Sequence, residues 1–192
     1  MRFRTKDLAL VCSFSSLYAV LSFFSFSPVI GAAGSSIKMA TVMAPLFGMI
    51  LGPILGTLAA SLGGFIGWSF TQTGPFSFLS FIPGAATTLC SGLLYKRNGI
   101  ASVVLYSVLF LALALYPTIG PAWLFPYFLW FQIVGLIVLV SPLRSKAADF
   151  TQKHTGWLEL CAGLGVTSFT ATLFGQIVGS MMFEMMYWPT IY

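Results

Sequence analysis

The chain has 192 residues, of which 58% are hydrophobic and only 7% charged, and its mean hydropathy is +0.94. Soluble domains carry about 25% charged residues, so nine basic and four acidic side chains exclude a water-covered globule. The net charge of +5 does not indicate nucleic acid, because the bases sit in short clusters between apolar runs, as orientation signals do. The composition therefore predicts one all-α integral membrane domain over residues 1–192, a multi-pass bundle of about six or seven helices in the cell membrane.

A membrane span needs about 20 apolar residues. The predicted spans are 8–27, 36–51, 53–70, 78–95, 99–117, 122–142 and 157–183. Arg2, Arg4 and Lys6 precede the first, and no small-x-small cleavage site follows it, which predicts an uncleaved helix rather than a signal peptide. Gly52-Pro53 separates the second and third, because proline lacks a backbone donor and disfavours helix in the residue before it. The pair reads as a tight helical hairpin, with one long kinked segment as the alternative. A cytoplasmic N-terminus places Arg2, Arg4, Lys6, Lys96, Arg97, Arg144, Lys146 and Lys153 inside and leaves only Lys38 outside. The connections expected inside are the hairpin tip, the Lys96–Gly99 turn and the polar stretch Arg144–Thr155. Those expected outside are Ser27–Ser35, Thr71–Ser77 and Tyr116–Ala122.

Small residues recur at helical spacing in two places. Ala9, Cys12, Ser13, Ser16 and Ala19 mark one face of the first span, and Gly48, Gly52, Gly56, Ala60 and Gly64 run through the hairpin. Such rows let helices approach closely in lipid, where association depends on packing. The hairpin row reads as internal packing; the first-span row reads either so or as a docking face for another membrane subunit. Cys12, Cys90 and Cys161 lie inside apolar runs without metal-ligand spacing and read as packing residues.

Catalysis has little to stand on. His154, Asp7, Asp149 and Glu159 read as solvated surface groups, and there is no catalytic triad, metal-ligand set, cofactor motif or GxxxxGK[ST] phosphate loop. If ATP drives this protein, another chain must bind it. Glu184, inside Met181–Trp188, is different, because an acid in a span is costly unless it reaches water or a partner. It either pairs with Lys38 or meets a ligand. Trp68, Trp123, Tyr127, Trp130 and Trp188 read either as an interfacial belt or, in part, as an aromatic pocket. Trp123, Tyr127 and Trp130 share a face at i, i+4 and i+7; Gln132 lies poorly on that face, whereas Gln72 and Gln176 are placed to supply amide hydrogen bonds. The expected ligand site is Trp68, Trp123, Tyr127, Trp130 and Glu184.

Three stretches resemble the S component, the substrate-binding membrane subunit, of an energy-coupling factor (ECF) importer. They are Asp7–Phe24 after the basic N-terminus, the Gly-rich turn Met43–Gly56, and Phe81-Ile82-Pro83-Gly84 leading to Lys96-Arg97. Together they cover about the first half of the chain. The resemblance implies a transmembrane coupling protein docked on Ala9, Ser13, Ser16 and Ala19, although the family's row is richer in alanine. It also implies a vitamin-like solute bound toward the outer side and ATPases supplied as separate subunits, with no enzymatic activity in this chain. The family has six spans and both termini inside, so seven spans here mean either a variant or a further inward span after Tyr192. The alternative function is an accessory subunit of a larger membrane complex with no solute of its own.

Overall fold

The computed structural model describes residues 4–28, 36–71, 79, 81–96, 98–115, 129–153 and 156–191, without the side chains of 28, 71, 183, 184 and 186–191. It is mostly helical. The helices are α1 (Thr5–Ser22), α2 (Met39–Leu51), α3 (Pro53–Thr71), α4 (Phe81–Tyr95), α5 (Gly99–Ala114), α6 (Trp130–Val140), α7 (Leu143–Lys153) and α8 (Trp157–Ile191). By length and composition, 53–70 and 157–182 suffice to cross a membrane, and the bent α6–α7 pair is a third candidate. α2, α4 and α5 are apolar but shorter.

Local chemistry sets several boundaries. The Asp7 carboxylate accepts the Arg4 N–H at 3.0 Å, closing the first turn of α1. α2 stops at Gly52, whose φ of 81° favours glycine, and Pro53 opens α3, where its missing N–H costs nothing. The chain folds back there: a Cβ on Gly56 would lie 3.2 Å from the Gly48 Cα, so α2 and α3 form a hairpin.

Two expected loops carry regular structure. In place of a plain connection over 27–35, β1 (Ser25–Pro28) pairs antiparallel with β2 (Ser36–Lys38), Ser27 facing Ile37. The Met39 N–H then donates to the Phe24 carbonyl at 2.9 Å, so the helix expected from residue 36 starts at 39. The polar stretch after Arg144 is likewise a helix, α7, bent 69° from α6 at Ser141-Pro142. Proline pushes Ser141 into extended backbone, which ends α6. α7 then buries Ala147, Ala148 and Thr151 on α8, where a Cβ on Gly163 would lie 2.8 Å from the Ala147 carbonyl oxygen.

The centre of the molecule is α4, which packs on α2, α3, α5, α7 and α8. Small residues make this possible. A Cβ on Gly48 would stand 2.1 Å from both Ser91 Oγ and the Thr88 carbonyl oxygen, and one on Gly92 would stand 2.5 Å from Pro53 N. The glycine row of the hairpin is thus taken up by internal packing. Thr88 fixes the seam by donating to the carbonyls of Gly84 (2.8 Å) and Ala44 (3.1 Å).

α1 runs parallel to α3. Val11 clusters with Ala59, Ser15 and Tyr18 cover Gly63, and Ser22 covers Gly67. The start of α1 is therefore level with the Gly52 turn. Lys96 lies across Gly52, and Arg144 on α7 donates to the Gly99 carbonyl at 3.1 Å. Arg4, Lys6, Lys96, Arg144, Lys146 and Lys153 consequently gather at one end of the bundle, the turn end. Lys38 is at the other end, beside the ribbon, 3.5 Å from Ser25 Oγ.

Candidate functional site

The α1 row splits in the structure. Ala9, Cys12, Ser13 and Ser16 are exposed along the outward face of the helix, whereas Ala19 is buried against the bundle. The geometry of a helix explains this correction. Ten residues at about 100° each place Ala19 roughly 80° around the axis from Ala9, toward the side held by the α3 glycines. Leu8, Leu17 and Val20 flank the exposed row and are themselves exposed.

The expected ligand residues are not assembled by the described structure. Trp123 and Tyr127 lie outside the described residues, as does the side chain of Glu184. Trp68 is half-buried on α3, its ring 5.5 Å from that of Phe65. Trp130, on the outward face of α6, is 58% exposed. α3 and α6 share no packed interface that would join these two tryptophans. Lys38 meets Ser25 at the ribbon.

Of the two amides expected at the pocket, Gln72 lies outside the described residues. Gln176 is exposed, whereas Gln132 is only 5% exposed. Gln132, Gly135 and Leu139 are the buried positions of α6, and two residues of helix turn Gln132 about 200° from Trp130. The feature that set Gln132 apart from the aromatic face is what points it into the core. Its Oε1 is buried and accepts no hydrogen bond. Leaving such an acceptor unsatisfied costs about 1–3 kcal/mol. A sequence signal existed: Gln132 is the lone polar side chain between Leu129 and Val140.

Around it the packing is tight. Tyr106 of α5, fully buried, donates its hydroxyl to the Gln132 backbone carbonyl at 2.9 Å. Gly135 makes room for that hydroxyl, since a Cβ there would lie 2.4 Å from it. Tyr106 and Leu129 belong to an apolar cluster with Cys90, Leu113, Phe174 and Ile177.

At the turn end, a cleft of about 170 Å³ is lined by Leu94, Gly99, Arg144, Ser145, Ala148 and Asp149. Its polar groups are engaged within the protein: Arg144 on Gly99, and Asp149 3.7 Å from Lys153. Gln152 also donates to the Tyr95 carbonyl, so α7 clasps the α4–α5 turn. The cleft is a seam of the fold. Compared with protein-family models, curated proteins and solved structures, the chain matches none.

Proposed function

We propose that the chain is a multi-pass protein of the cell membrane with about seven spans and a cytoplasmic N-terminus. In this reading it is the solute-binding S component of an ECF-type importer for a vitamin-like molecule. A transmembrane coupling protein and ATPase subunits, carried on separate chains, supply the driving force. The gathering of six bases at the turn end supports the orientation. The observation that carries the function is the free row Ala9, Cys12, Ser13 and Ser16. The glycine row of the hairpin is covered by neighbouring helices, whereas this row faces outward, and small side chains there would let another helix approach closely. The unsatisfied Gln132 oxygen inside the bundle favours a solute-binding subunit over an accessory subunit without a solute.

The test is affinity purification of the full chain from its native membranes, with mass spectrometry of what accompanies it. A membrane protein together with nucleotide-binding subunits is expected, and Ala9→Trp or Ser16→Trp should lose them while the variant remains monodisperse and helical. Retention of the partners by both folded variants would refute the docking face. Absence of any nucleotide-binding subunit from the wild-type preparation would refute the importer.

A further inference from the structure

We infer that α7 and the opening of α8 form a docking surface for anionic phospholipid headgroups at the edge of the membrane. This rests on the multi-pass reading, with the turn end in the cytoplasm, and not on the importer. The apolar part of α8, residues 157–182, is about 39 Å long as a helix, against a hydrocarbon core of about 30 Å. Its first turn therefore reaches the headgroup layer, and there Trp157 and Leu158 stand 80% and 84% exposed. α7 meets α8 at Gly163, about 9 Å further in, which sets α7 near the hydrocarbon edge. The direction of α7 suits that depth. It is bent 69° from α6, and its two ends hold the two sides of one turn, Arg144 on Gly99 and Gln152 on Tyr95. α7 thus runs across the end of the bundle more than along it.

The side of α7 turned away from the bundle has the pattern of an interfacial helix. At about 100° per residue, Leu143, Lys146, Phe150 and Lys153 fall within an arc of about 80°, separate from the arc of Ala147, Ala148 and Thr151 that is buried. Leu143, Lys146 and Lys153 are exposed and Phe150 is half-buried. Two apolar side chains alternate there with two long basic ones. Lysine stems can lie along the apolar surface and carry their ammonium groups out to phosphate oxygens, while Leu143 and Phe150 meet acyl chains. The contact of Gln152 with Tyr95 brings Lys96, also exposed, to the same corner as Lys153.

Charge selects the lipid. The acids at the turn end among the described residues are Asp7, Asp149 and Glu159, against Arg4, Lys6, Lys96, Arg144, Lys146 and Lys153. Asp149 lies 3.7 Å from Lys153, an exposed pair one helical turn apart that holds its members weakly, so the surplus stays positive. A zwitterionic headgroup offsets its phosphate with its own cation, whereas an anionic headgroup leaves that charge to the lysines.

The experiment places the full chain in lipid nanodiscs of phosphatidylcholine and phosphatidylglycerol, with bromine on the acyl chains of one lipid or the other. Brominated chains quench a neighbouring tryptophan, and the Trp157 contribution is taken by difference against Trp157→Phe. At equal mole fraction, brominated phosphatidylglycerol should quench Trp157 more than brominated phosphatidylcholine. Lys146→Gln and Lys153→Gln together should lower that preference, by up to about fivefold for each charge removed. Arg4→Gln with Lys6→Gln, an equal loss of charge at the same end, should lower it less, and Lys38→Gln at the ribbon end should leave it unchanged. Equal quenching by the two lipids in the wild type would overturn the surface. Equal losses in the two double variants would do the same, leaving only diffuse attraction to net charge. Abolition of the preference by free glycerol 3-phosphate would make this a site for a soluble phosphate and overturn the lipid surface as well. A chain that fails to enter the nanodiscs would remove the multi-pass reading; one that enters with Trp157 indifferent to lipid charge would remove this surface alone.

Discussion

Replacing Gly48 with alanine is the sharpest probe of how this bundle is held together. The new methyl would stand 2.1 Å from the Thr88 carbonyl oxygen and from Ser91 Oγ, and 2.9 Å from the Gly92 nitrogen. Two of those three atoms are backbone and cannot rotate aside, so α2 and α4 must part by about 1 Å before the contact becomes tolerable. That movement breaks the 3.1 Å hydrogen bond from Thr88 to the Ala44 carbonyl, costing about 1 kcal/mol. It also opens a gap that forfeits roughly a quarter to a half of the dispersion along the seam. Overpacking of this kind costs about 1–3 kcal/mol, against a gain of up to about 1 kcal/mol for replacing a helical glycine. Gly165, on α8, is the matched control, because a Cβ there meets nothing within 4 Å. Buried Cys90 on α4 supplies the assay. In a background lacking the exposed Cys12 and Cys161, its reaction with a thiol-reactive dye during heating reports opening of the seam. With the lost hydrogen bond included, the net cost is about 1–3 kcal/mol, so Gly48→Ala should lower the midpoint by about 2–12 °C, and Gly165→Ala should leave it unchanged or raise it by up to about 4 °C. Equal midpoints for the two variants would show that the α2–α4 contact does not limit stability.

Other perturbations test other parts of the account. Tyr106→Phe removes the donor to the Gln132 carbonyl and should cost about 0.5–1.5 kcal/mol, seen as a midpoint lower by a few degrees; no change would mean that the bond contributes nothing net. For topology, Lys96→Cys and Lys146→Cys should react with an impermeant reagent only from the cytoplasmic side and Lys38→Cys only from outside. Outside labelling at position 96 would invert the proposed orientation. Trp130 is exposed on the outward face of α6, so once the co-purifying solute is known Trp130→Ala should leave its affinity unchanged; a loss of about thirtyfold would make it a desolvated anchor. Glu184→Gln should weaken a cationic solute more than a neutral one, and wild-type affinity for a cationic solute in the folded variant would remove Glu184 from the binding site.

Features written in covalent geometry were legible in the sequence. Gly52-Pro53 restricts the backbone itself, and the chain turns there. Gly48 and Gly56 are recognisable because only small residues permit such an approach, and their neighbours could be inferred to be helices without knowing which. The α7 helix was hidden for the opposite reason. Its contact with α8 is made by Ala147, Ala148 and Thr151 against Gly163, and small side chains leave no hydrophobic signal in a segment that otherwise reads as polar loop. The alternation Ser25-Phe26-Ser27 does carry a strand period, but it is embedded in an apolar run and short. Ala19 and Gln132 show a further limit. Spacing tells which residues share a face, while the direction of that face depends on which neighbour the helix meets. The α3 glycines decide it for α1, and Tyr106 with Leu173 decide it for α6.

The central position of α4 has an evolutionary implication. α1 rests on α2 and α3, α6 rests on α5 and α8, and α4 stands between the two groups with neighbours in each. Substitutions more than about 7–10 Å apart that share no partner tend to act additively. The outward row of α1 and the interior of α6 are insulated from one another in this way. The side chains around Gln132 and Tyr106 are free to change while the surface carrying Ala9 and Ser16 keeps its shape. The restraint on such drift falls on α4, where Thr88, Ser91 and Gly92 meet the hairpin while Pro83, Thr87 and Cys90 meet α8.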